Sequence, residues 1–262
     1  MVERLEINPS LGPPEVRLLA FMAGEADFTF LNTGQIPFVK ERFPDQLTTN
    51  AVFATTYMSF DLALPPFDNI DVRKALQYAI DRNEMTATVL KGLAIPGKSL
   101  LPPGYPGYND AITAPMLQYL QAEFKETLGI TMNIKVMPIQ DWMNALINKE
   151  NNLFLAPYEY DYLDPSNFYG IFYSGGRHHH MIKAYDDLVA AADSNPVWEE
   201  RFKLYQQAEQ VLIDNASFVP LVHPITNAVV SKDLKGEGTL PNSLGFTPLR
   251  QLALYFYTHV SK

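Results

Sequence analysis

The chain has 262 residues, 47% of them hydrophobic, a formal net charge of -9 at pH 7 and no cysteine. That length and apolar content suit one large or two small globular domains, and the missing thiols exclude disulfides, thiolate metal sites and cysteine nucleophiles. No Lys/Arg stripe accompanies an aromatic platform, so an acidic chain of this kind is not expected to bind nucleic acid and favours neutral or cationic ligands.

Residues Met1 to Ile7 show no basic, apolar and small-residue succession of an export signal. Leu5-Glu6-Ile7 reads as a strand, followed by a helix from about Glu15 with Val16, Leu19, Ala20 and Ala23 on one stripe, ended by Gly24. Strands follow at 26–31 and 55–60, with a short helix between them at 37–43. This strand, helix, strand rhythm indicates an α/β fold. A helix over Asp71 to Ile80 places Val72, Ala75, Leu76 and Ala79 inward and Arg73, Lys74 and Gln77 outward, and a second runs from Glu84 to Leu90. The 100–108 segment is too rich in Pro and Gly for regular structure. Further helices are predicted over 116–128, 139–147, 185–192 and 197–214, with strands at 130–136, 218–222, 228–230 and 252–257. Trp142 reads as a packing residue more readily than as a stacking platform. The Arg177-His178-His179-His180 run reads as a solvated loop, because adjacent imidazoles cannot all face one ion from a regular backbone, and no metal site is expected.

The stretch richest in chemistry runs from Leu153 to Phe168: an apolar run, then Tyr158-Glu159-Tyr160-Asp161-Tyr162, then Asp164-Pro165. Pro165 stops the ladder, so this is a strand that ends in a loop. Alternation puts Tyr158, Tyr160 and Tyr162 on one face, with Glu159 and Asp161 on the other. A carboxylate at a strand's end beside aromatic surfaces can receive a cationic head group. Paired carboxylates among rings also describe a glycoside hydrolase groove, which makes Glu159, Asp161 and Asp164 the alternative catalytic set. No Gly-x-Ser-x-Gly elbow, phosphate-cradling Gly loop or His-Glu-x-x-His helix is present.

Several motifs together carry a resemblance. Ala23-Gly24-Glu25-Ala26-Asp27, the run Phe67 to Arg82, Val89 to Ala94, Pro102-Pro103-Gly104-Tyr105, Asp164-Pro165-Ser166-Asn167-Phe168, and Arg201 to Glu209 with Val219-Pro220-Leu221 closely resemble the family 5 extracytoplasmic solute-binding proteins. These are peptide and nickel receptors of ABC importers. The resemblance implies a periplasmic-binding-protein-like lobe, a mixed sheet flanked by helices, forming one wall of a two-lobe cleft. Residues 1–220 would be the ligand-binding lobe, and 221–262 a segment returning toward an amino-terminal lobe that this chain lacks. A helix and strand that the family carries after the Pro-Pro-Gly-Tyr loop are also missing after Asp110. The function implied is non-enzymatic capture of a peptide or similar small solute, without a cofactor, by a periplasmic or extracytoplasmic monomer that serves a membrane permease. Asp161 would hold the ligand's α-ammonium, with Tyr158, Glu159 and Tyr160 beside it, and the backbone of 157–160 would pair with an extended peptide. Pro157 lacks an N–H where a donor could be wanted, which keeps a non-peptide ligand open.

Overall fold

The computed structural model describes residues 12–51, 54–101, 113–148, 150, 153–159, 161–162, 164–178 and 180–234. The expected strands at 5–7 and 252–257 and the 102–108 segment lie outside these residues.

A single long strand, β6 (Phe218–Val230), organises the sheet. Its first half pairs with β3 (Ala54–Phe60) and β4 (Ala94–Pro96), and β3 carries β5 (Leu153–Glu159) on its other side. Its second half pairs with β1 (Phe28–Leu31) and β2 (Leu47–Ala51). The sequence suggests two strands here, at 218–222 and 228–230. The chain is continuous because Pro224 sits where the partners change, and the next N–H, on Ile225, donates at once to Leu93 O at 2.8 Å. All described pairings are antiparallel, where the sequence suggests a mixed sheet. Gly97 is needed beside this strand: a Cβ there would lie 2.8 Å from the Leu221 carbonyl carbon. The boundary expected between residues 220 and 221 falls inside β6.

β3 is buried along its whole length because helices cover both faces of the sheet. Tyr57 faces one side, in a cluster with Ala156 and Tyr158 of β5 and Phe218 of β6. Over it lie α7 (Ser166–Tyr169) and the antiparallel pair α8 (Lys183–Ser194) and α9 (Trp198–Asp214). Met58 and Phe60 face the other side, packed with Leu76 of α3 (Ile70–Tyr78) and with Leu120 and Phe124 of α5 (Thr113–Leu128). On that same side Met85 opens a π-helical turn, Met85–Val89, that continues α4 (Arg82–Glu84). α6 (Ile139–Ile147) closes the end of the sheet, where Trp142 meets Phe154 edge-on as a packing residue. Beside β1 and β2, α1 (Pro14–Met22) and α2 (Ile36–Arg42) form a smaller cluster of Leu18, Phe21, Leu31, Val39 and Val229.

Three expectations fail for physical reasons. The stripe of α1 predicted to be inward is largely outward: Leu19 is 62% exposed and Val16 is exposed as well, whereas Leu18, Ala20 and Phe21 are buried. Residues 131–138 are not a strand, because no described strand lies beside them to complete a ladder; instead Gln121 Nε2 donates to Met132 O at 2.7 Å. Arg73, read as outward, is 5% exposed. Its guanidinium donates to Phe67 O at 2.6 Å, Asn215 O at 2.8 Å and Ala216 O at 3.2 Å. These acceptors include carbonyls at the end of α9, where helical partners run out and the helix dipole favours a cation.

Candidate ligand-binding site

Strand alternation sets the site's floor. Along β5, Phe154, Ala156 and Tyr158 are buried, and Glu159 at the strand's end is exposed opposite Ala54. Tyr158 is therefore mainly a core residue: 6% exposed, with its ring edge-on to Phe168. Its hydroxyl reaches outward to Asp161 Oδ2 at 3.5 Å. Burial foremost, then the Asp161 charge, pushes the Tyr158 phenol up to about 12, so it stays a neutral donor. The alternation does not extend past Glu159. Asp161 and the 52%-exposed Tyr162 lie in the turn after the strand, and Tyr160 lies outside the described residues.

Asp161 is an exposed carboxylate on a fixed backbone. Its N–H donates to Asn167 Oδ1 at 2.9 Å, and Asn167 Nδ2 reaches Asp161 Oδ2 at 3.4 Å. Asn167 is buried in α7 and acts as a clamp on the turn. Asp164 has a different task. It accepts from Ser166 N at 2.9 Å and holds Arg201 through two bonds, 2.5 and 2.6 Å. Burial would push its carboxyl up, but the hydrogen bonds from Arg201 and Ser166 outweigh this and hold it below the usual range. Asp164 thus fixes the turn before Pro165 and joins it to α9.

The loop before α8 forms a second wall, and here the reading of a solvated histidine loop is corrected. His178 and His180 are buried. His178 meets Tyr57 Oη at 2.7 Å and Ser59 Oγ at 3.0 Å, and its ring stacks on Phe172. His180 reaches the same Ser59 hydroxyl at 3.4 Å. Tyr57 and Ser59, polar residues of β3 that face this layer, require hydrogen-bond partners once buried, and the histidines supply them. His179 lies outside the described residues. Among the described residues no three His, Asp or Glu side chains come together as a metal site. Anchored by His178, Arg177 places its guanidinium over the Tyr158 ring, 5.2 Å from the centroid. The structure therefore brings Asp161, Tyr158 and Arg177 together. Sequence reading missed Arg177 and Asn167: the first was hidden in the histidine run, the second in a turn motif. A separate cavity of about 970 Å³ lies between the ends of α3 and α5 and β6, and Tyr158, Glu159, Asp161 and Tyr162 do not line it.

The fold defines a periplasmic-binding-protein-like α/β lobe. It superposes on the unliganded open form of the MppA periplasmic murein tripeptide binding protein with a TM-score of 0.76, at 18% identity, over 86% of this chain and 52% of that one. Residues 2–115 match the family described as bacterial extracellular solute-binding proteins, family 5 Middle. Over that region, which includes the Phe67 to Arg82 and Val89 to Ala94 motifs, the chain is similar to the family 5 solute-binding proteins. Among curated proteins it is 25% identical to the probable deoxycholate-binding periplasmic protein YgiS of Escherichia coli (strain K12), over 78% of this chain and 46% of the relative. It is 24% identical to the dipeptide-binding protein of the same organism, over 69% of this chain and 42% of the relative. The chain thus spans less than half the length of these relatives. Among the described residues no helix is long and apolar enough to cross a membrane.

Proposed function

We propose that this chain is a ligand-binding wall of an extracytoplasmic solute receptor serving an ABC importer, and that it captures a short peptide or similar solute without turning it over. The observation that carries the reading is Asp161: an exposed carboxylate held at the end of β5 by Asn167 and the Tyr158 hydroxyl, on a lobe of the receptor fold. It would take the ligand's ammonium, with Tyr158, Glu159 and Tyr160 around it. Closure against a second lobe would exclude water from that pair and strengthen it beyond the ~0–1 kcal/mol of an exposed ion pair. The hydrolase alternative gains no support, because Asp164 is bound bidentately to Arg201 and serves the turn.

The test is calorimetric titration with dialanine. Asp161→Asn keeps the shape and removes the charge, which leaves the ammonium unpaired, so affinity should fall about a hundredfold or more. Glu159→Gln should cost much less. Equal binding by wild type and both variants would defeat the assignment.

A further inference from the structure

The cavity between the ends of α3 and α5 and β6 carries chemistry that capture at Asp161 does not use. Its volume of about 970 Å³ suits a small organic molecule. Ile80, Leu128, Ile213 and Phe218 give it an apolar side, and Gln77, Arg82 and Lys98 line it as well. Arg82 is half-buried, and its Nε donates to Pro220 O at 2.6 Å, which ties α4 to β6 and holds the guanidinium in the wall. Among the described residues neither Nη1 nor Nη2 has an acceptor. Burial pushes the Arg82 pKa down, and no carboxylate opposes that shift. The two acids of the lining have other work. Asp81 Oδ1 accepts from the Asn83 and Glu84 N–H groups at 2.9 Å and caps α4, while Glu123 stands by the Tyr119 hydroxyl and helps to push its pKa up. Gln77 Oε1 is buried and has no hydrogen-bond donor among the described residues. A guanidinium drawn out of water without an anion is costly, and so is a buried acceptor without a donor.

We propose that this cavity is a second binding site, which takes a small carboxylate with an apolar body and an N–H or O–H donor. Arg82 presents its planar fork to the carboxylate, a geometry that two parallel charge-assisted bonds favour, and the exposed Lys98 adds a second cation. Gln77 Oε1 accepts from the donor, and the apolar body covers Leu128, Ile213 and Phe218. Asp81 and Glu123 balance Arg82 and Lys98, so the lining as a whole is neutral. It therefore suits a monoanion at Arg82, whereas a phosphate dianion would meet more repulsion from the two acids. The site is independent of peptide capture, because Tyr158, Glu159 and Asp161 do not line it.

The experiment titrates the protein with N-acetylphenylalanine and with its uncharged amide, N-acetylphenylalaninamide, at up to millimolar concentrations, followed by chemical-shift changes. In wild type the acid should shift the signals of Tyr78, Thr127 and Leu128, which line the cavity, and bind about tenfold more tightly than the amide, the gain expected for one charge-assisted pair. Arg82→Lys keeps the charge but loses the fork, and Lys98→Gln changes an exposed side chain with little risk to folding. Each should weaken the acid and leave the amide as it was. Gln77→Leu should weaken acid and amide alike, because both offer the same amide donor. Saturation with dialanine should not displace the acid, since the two sites share no residue. Equal affinity for acid and amide would overturn the proposal, as would displacement by dialanine, shifts confined to residues outside the cavity, or no binding of the acid at all.

Discussion

The two halves of β6 belong to differently built regions. Along residues 218–224 the strand lies inside a sheet covered on both faces, with large clusters around Tyr57 on one side and Met58 on the other. Along 225–230 it joins β1 and β2, where the described core is a cluster of five buried side chains under α1 and α2. The same short region exposes Val16, Leu19, Met22, Phe30 and Phe38. The larger region buries even an arginine and three histidines, with exposed apolar groups such as Val136, Met181 and Trp198 on its outer elements; the smaller one has few buried side chains beneath its exposed ones. Burial on two faces excludes water and so demands that each polar group find a partner, whereas a one-sided cluster can leave its outer face unmatched.

Three measurements sharpen or break this contrast. The largest effect should come from paired core truncations followed by chemical denaturation. Leu120→Ala, in the fully covered region, should cost about 4 kcal/mol, and Leu18→Ala, in the smaller cluster, nearer 2 kcal/mol. Equal losses would mean that the small cluster is as tightly packed as the large one. Next, Arg73→Ala should cost about 3 kcal/mol, because it strips charged donors from carbonyls at the end of α9. A surface residue would give less than about 0.5 kcal/mol, and that result would overturn the clamp.

The smallest effect lies at the strand's midpoint. His223 is buried with its Nδ1 3.2 Å from Thr55 Oγ1, and burial pushes its pKa down to about 4. A base whose folded pKa is depressed contributes stability that is complete above its unfolded value near 6.5 and is lost as pH falls toward 4. Its share of the loss between pH 7 and pH 5 should be on the order of 2 kcal/mol. His223→Gln should remove that share, and an unchanged pH profile of the melting temperature in the variant would show that the imidazole does not titrate on unfolding.

Much of the helical skeleton was legible because its periodicity is local. The helices over 70–78, 139–147, 183–194 and 198–214 lie within a few residues of where their apolar spacing and turn residues place them. The end of β5 was legible too, since Pro165 and the aromatic run mark it. Which way an apolar stripe points was less legible: in α1 the residues at helical spacing include both those that pack on Val39 and those that face outward, and periodicity alone does not say which layer waits on which side. The alternating run at 130–136 has the pattern of a strand, but a strand also needs a neighbour's hydrogen bonds.

By itself the sequence determined the residue types of the candidate site and the local punctuation around them: a carboxylate after a β run, an Asp-Pro turn, and motifs resembling one family in order from Ala23 to Leu221. Tertiary structure decided which of three nearby acids is taken by a cation. Arg201, 37 residues beyond Asp164 and on another helix, takes that carboxylate, while Asn167 turns Asp161 outward. Tertiary structure also placed Arg177 on the Tyr158 ring, by burying the neighbouring histidine against hydroxyls of a strand some 120 residues earlier. The reason is range: turns and periodicity arise from neighbours along the chain, whereas the pairing of a charge depends on what the fold brings within about 3 Å of it.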